Sequence, residues 1–140
     1  MAGIALALAA SGGALASHGG ASSVAFLKPV AGAATGSKVT FTVKPSNFKI
    51  NAANVGKKPT AGEGHLHFSM DGGKYDFPKY SGANGKLAAA LGVAGTYSPS
   101  VLPTITYRNL PEGKHTLTVF LVKNDHSNLG PKASVTFTVR

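Results

Sequence analysis

Apolar and polar residues alternate through Gly64–Gly73 (GHLHFSMDGG), the period-2 mark of a half-buried strand. Leu66, Phe68 and Met70 share one face; His65, His67 and Ser69 share the other. Lys38–Val43 alternates in the same way, with Val39, Phe41 and Val43 opposed to Lys38, Thr40 and Thr42. Its β-branched content suits a strand, and Phe48 and Ile50 are expected to continue it past a kink at Pro45. Further strands are predicted over Val24–Val30, Leu102–Leu110, His115–Lys123 and Ala133–Arg140. His115–Lys123 (HTLTVFLVK) is the most hydrophobic of them and is expected to be central.

Turn chemistry separates these runs. Asp71-Gly72-Gly73 closes the histidine strand, with Lys74–Phe77 as a short returning hairpin partner. Pro111–Lys114 reads as a tight turn, and Asn51–Glu63 and Asn124–Lys132, the latter containing Gly130-Pro131, read as polar loops. Helical propensity is confined to one or two turns over Lys86–Leu91. About seven short strands without an internal repeat predict an all-β fold, an immunoglobulin-like antiparallel β-sandwich. A jelly roll or small closed barrel is the alternative. The alternation assigns Leu66, Phe68, Leu117, Val119, Leu121, Val135, Phe137 and Val139 to the core.

The chain has 140 residues, enough for one domain with a core that needs no staples. It contains no cysteine, which excludes disulfides, zinc–thiolate sites and cysteine nucleophiles. Ile4–Ala16 (IALALAASGGALA) is a short run of small and apolar residues ending in Ala14-Leu15-Ala16, an A-x-A cleavage signal, although Met1-Ala2-Gly3 lacks the usual positive charge. It is too short to span a bilayer. Residues 1–16 are therefore expected to be a signal peptide, 17–23 a linker and 24–140 the sandwich, with the product secreted or held in the periplasm or cell envelope.

Fourteen Lys and Arg against five Asp and Glu give a net charge of +9. The lysines are scattered, and no Arg-rich helix or RNA-binding aromatic motif accompanies them. The charge thus reads as a solvated basic surface, with an anionic cell-envelope polymer as a candidate partner and nucleic acid not expected.

Candidate chemistry rests on five histidines. His65 and His67, at i and i+2 of one strand, point the same way about 6–7 Å apart and form a usable ligand pair if a third donor arrives. In an immunoglobulin-like sandwich the histidine strand runs antiparallel beside His115–Lys123. The start of the first then meets the end of the second, which leads into Asn124-Asp125-His126. Glu63, His65, His67, Asp125 and His126 converge on one pole. His18 lies a few residues before the first strand, at that same end. His65, His67 and His126 are the expected ligands, with Asp125 or Glu63 a further ligand or the acceptor that fixes a histidine tautomer. His115 falls at the opposite pole. Each group also has an ordinary reading as a surface or turn residue. Cleavage after Ala16 would place His18 second in the mature chain, a known nitrogen-donor arrangement for Cu(II).

Gly64-His65-Leu66-His67-Phe68, then Leu110–Val119 (LPEGKHTLTV), then Asn124-Asp125-His126-Ser127 resembles a group of small exported bacterial domains of unknown function, in which a GHxH strand precedes an L-x-x-G-x-H-T-L strand. The resemblance covers residues 24–140 and implies no established activity. More loosely, the chain is similar to the periplasmic copper-resistance carriers of C type. Those are also immunoglobulin-like and use a histidine near the mature N-terminus plus internal histidines for copper. Their signature begins with His at the cleavage site, whereas Ser17 or the Gly-Gly pair intervenes here. The resemblance implies copper carriage.

The expected function is therefore a metal-binding module, with copper as the cofactor ahead of zinc, acting in carriage or sequestration. The alternative is a cell-surface structural or adhesion domain without metal, even a filament subunit whose uncleaved Ile4–Ala10 segment inserts into a neighbour's sheet edge. An enzyme is not expected: Ser69 shares the face of His67, but neighbours on one strand face point in parallel and do not converge.

Overall fold

A computed structural model describes residues 20–73 and 82–140. The expected signal peptide, His18 and the returning strand Lys74–Phe77 lie outside the described residues. The strands, in chain order, are β1 (Ser23–Lys28), β2 (Ala34–Thr35), β3 (Val39–Ser46), β4 (Lys49–Ile50), β5 (Glu63–Met70), β6 (Thr104–Tyr107), β7 (Gly113–Lys123) and β8 (Asn128–Val139). They form two sheets, β1-β3-β6 and β2-β8-β7-β5-β4. The result is an all-β sandwich in which, among the described residues, the principal pairings are antiparallel and only the two-residue strands β2 and β4 pair in parallel.

The periodicity of the sequence accounts for the interior. Leu66, Phe68 and Met70 of β5, Leu117, Val119 and Leu121 of β7, and Val135, Phe137 and Val139 of β8 are buried against Val39, Phe41 and Val43 of β3. Phe41 joins the sheets: its ring meets Phe137 across the interface at 5.2 Å and Tyr107 on the adjacent strand at 5.8 Å, both edge-to-face, the arrangement favoured by ring quadrupoles.

Three expectations change. Phe48 and Ile50 do not prolong the preceding strand. Asn47 takes a left-handed conformation (φ 51°), which Asn tolerates, and the chain crosses to the other sheet, where β4 pairs with the start of β5. The predicted loop 124–132 is mostly strand, because Gly130-Pro131 sits in β8 where the register with β7 shifts between Phe120 and Val122. Gly-Pro there marks a bulge rather than a break. The helix α1 is longer than predicted, Gly82–Ala90, and Ala88, with Leu91 and Val93 beyond it, joins the core. The segment after it covers the edge of β5: Leu66 N–H donates to Ser100 O (2.9 Å), and Phe68 N–H to Tyr97 O (2.8 Å). Unpaired edge groups that would otherwise invite another strand are thereby satisfied. Among the described residues no helix is long and apolar enough to cross a membrane.

Candidate metal centre

The β5–β7 register runs from Gly64↔Lys123 to Met70↔Leu117. Since Leu66 and Phe68 face the core, His65 and His67 face outward, beside Val122 and Phe120. His65 is nonetheless fully buried (0% exposed). The connection between β4 and β5 folds over this end of the sheet, with Gly56 N–H donating to Asn124 O at 2.7 Å.

His126 comes from the turn between β7 and β8. Lys123 N–H donates to Ser127 O (2.9 Å) and His126 N–H to Lys123 O (3.0 Å). Asp125 Oδ1 accepts from Ser127 N–H (3.0 Å) and Ser127 Oγ–H (2.6 Å). His126 closes the loop with φ 68°, the left-handed position that such three-residue hairpin loops require and usually give to glycine. The turn projects the His126 ring over β5.

Three imidazole nitrogens converge there. His65 Nε2 stands 3.1 Å from His67 Nε2 and 3.1 Å from His126 Nδ1, and one nitrogen from each residue lies within 4.8 Å of the other two. Nitrogens sharing one tetrahedral ion at 2.0–2.1 Å stand roughly 3.3–3.4 Å apart, and the two separations from His65 Nε2 are close to that spacing. The cluster could hold a metal ion. Burial lowers the His65 pKa to about 4, helped by the charge of His126 when protonated. Its ring is therefore neutral at neutral pH, the form that ligates. His65 forms a buried floor, His67 is half-buried and His126 is exposed, which leaves one side of the cluster toward solvent.

The structure does not bring Glu63 or Asp125 into the cluster, and both expectations are corrected. Glu63 shares the outward face of His65, but its carboxylate accepts from Asn51 Nδ2 (3.0 Å), Asn54 Nδ2 and Asn124 Nδ2 (2.9 Å). These three amides, with Asn51 first, lower its pKa to about 2. Glu63 thus clamps β5, the β4–β5 connection and the end of β7 together. Asp125 is occupied in building the turn, and its hydrogen bonds from Ser127 hold its pKa below the usual range. His18 lies outside the described residues.

His115 sits at the far end of β7, about 23 Å from Val122 at 3.3 Å per residue, away from the cluster as the strand order predicts. Its Nδ1 pairs with Asp71 Oδ2 (2.7 Å), and its Nε2 donates to Pro111 O (2.7 Å).

Two residues that position the site were not singled out by the sequence reading. A Cβ on Gly64 would stand 1.9 Å from Val122 O, so only glycine lets β5 and β7 approach this closely beside His65. A glycine inside an alternating strand is a legible mark of such an approach. Asn124 is fully buried and links the His126 turn to Glu63; nothing in the local pattern distinguishes it from an ordinary loop Asn. A cleft of about 260 Å³ lies against Leu102, Ile105 and Arg108, and none of the three histidines lines it.

No protein-family model matches the chain, and neither a curated protein nor a solved structure does. Both resemblances therefore stand on their motif residues alone.

Proposed function

We propose that this protein is an exported module that binds a copper ion, in preference to zinc, and acts in metal carriage or sequestration. The observation that carries the reading is the meeting of His65, His67 and His126, from two separate parts of the chain, with ring nitrogens 3.1 Å apart.

Copper is favoured by the donor set. Among the described residues the site offers imidazoles and neither thiolate nor carboxylate, and at a given nitrogen site Cu(II) binds more tightly than Zn(II). Carriage is favoured over catalysis because the open side of the cluster exposes a ligand, His126, on a surface turn, where a partner's ligands can reach the ion. Export rests on the apolar run ending in Ala14-Leu15-Ala16.

Titration of the protein with Cu(II) and Zn(II), alongside the His65→Ala/His67→Ala double variant, tests the proposal. One equivalent of Cu(II) should bind with nitrogen hyperfine structure in its electron paramagnetic resonance spectrum, and the double variant should lose that signal. If the wild-type and double-variant proteins take up copper alike, the cluster is not the site, and the structural or adhesion reading is the better one.

A further inference from the structure

Two buried polar atoms beside the histidine cluster lack hydrogen-bond partners: His65 Nδ1 and Asn124 Oδ1. Both residues are fully buried. Leaving either group unpaired and buried is costly, because water can no longer take the missing bond. The fold places the two residues at the same end of the β5–β7 pair. His65 pairs with Val122 in the β5–β7 register, and Asn124 follows two residues later, on the same outward face, where its Nδ2 reaches Glu63 Oε1 at 2.9 Å. That bond fixes the orientation of the Asn124 amide: with Nδ2 committed to the carboxylate, Oδ1 is the end left without a partner. Oδ1 can only accept.

We propose that Asn124 is a positioning residue for the metal site: its Oδ1 takes the Nδ1 proton of His65 through one bridging water. A water between an N–H donor and a carbonyl acceptor satisfies both orphaned groups at once. The consequence reaches the site through the ring. A neutral imidazole carries one proton, so holding it on Nδ1 leaves the Nε2 lone pair directed at His67 and His126, which is where an ion would sit. Glu63 takes part indirectly by holding the amide the right way round. The inference rests on the metal-site reading for its purpose, but the tautomer is a property of the metal-free protein.

Nitrogen-15 NMR of the metal-free protein at pH 7.5, where Nδ1–H and Nε2–H tautomers of a neutral ring have distinct shifts, tests it. Wild-type His65 should be the Nδ1–H tautomer. Asn124→Leu, close to isosteric, should mix or reverse the tautomers and weaken Cu(II) binding 10- to 100-fold, the usual effect of losing such a partner. Asn54→Ala is the control, because it also removes a donor to Glu63 but leaves Asn124 Oδ1 in place; the tautomer should stay Nδ1–H. An Nε2–H tautomer in the wild type overturns the proposal, and that measurement needs no variant to fold. So does an equal tautomer shift in Asn54→Ala, which would mean general loosening. If the tautomer behaves as stated but copper does not bind, the positioning stands and the proposed function fails alone.

Discussion

His65 and His126 are separated by 61 positions in the chain, yet their ring nitrogens stand 3.1 Å apart. One is buried on a strand fixed by seven paired positions, and the other is exposed on a turn. The contact joins a buried, paired position of the sheet to one of its tips, and the predictions follow from that asymmetry.

Replacing His126 by glycine separates binding from folding. The left-handed φ of 68° costs a residue with a Cβ about 1 kcal/mol, and glycine relieves it at an entropic cost of about 0.5–1 kcal/mol. Urea denaturation of metal-free His126→Gly should therefore give a stability within about 1 kcal/mol of wild type, while copper affinity drops at least tenfold. A variant that unfolds would show that the His126 ring contact, rather than the turn, holds this corner together.

Gly64→Ala is expected to damage both. Its Cβ would lie 1.9 Å from the Val122 carbonyl oxygen, and backbone cannot yield as a side chain can. A loss of roughly 2–3 kcal/mol, at the upper part of the overpacking range, should be visible as a lowered Tm, together with weaker copper binding. An unchanged Tm would mean that the two strands do not pack as closely as described.

The pH dependence of stability should carry a His65 signature. In the unfolded chain this ring takes up a proton near pH 6.5, but in the folded protein only near pH 4. Between those values the unfolded state binds more protons, so folding free energy is fully present above pH 6.5 and falls as the pH drops toward 4, by at most about 3 kcal/mol. Glu63, lowered from 4.5 to about 2, adds a further loss as the pH falls from 4.5 through 2. Denaturation midpoints across pH 4 to 7 should slope upward in the wild type, and His65→Leu should flatten the slope.

Alanine at His67 and at His115 should behave oppositely. His67→Ala removes one of the three converging rings and should cost copper affinity while leaving the core intact. His115→Ala removes a buried ring bonded to Asp71 and Pro111; it should lower stability by about 2 kcal/mol, the scale of a broken buried network, and leave copper affinity within about twofold. Isothermal titration beside thermal melts distinguishes the two, and equal copper losses would refute the assignment of the ends.

The alternation of Leu66, Phe68, Leu117, Val135, Phe137 and Val139 with polar residues was enough to set the strands, their buried faces and the all-β class, because a pleated strand turns every second side chain to the same side. It also placed His65 and His67 together. Antiparallel pairing of their strand with His115–Lys123 then brought the Asn124–His126 turn to the same pole and sent His115 to the other. Tertiary structure decided the rest. Whether Glu63 faced the cluster or a clamp of Asn51, Asn54 and Asn124 depended on which loop folded over the sheet. Gly130-Pro131 became a bulge because β7 supplied a partner on either side of it. Asn124 became a buried link because the turn closed onto β5. Those choices are made by hydrogen-bond satisfaction among groups distant in the chain, once burial has removed water as their partner, and no local pattern of residues encodes them.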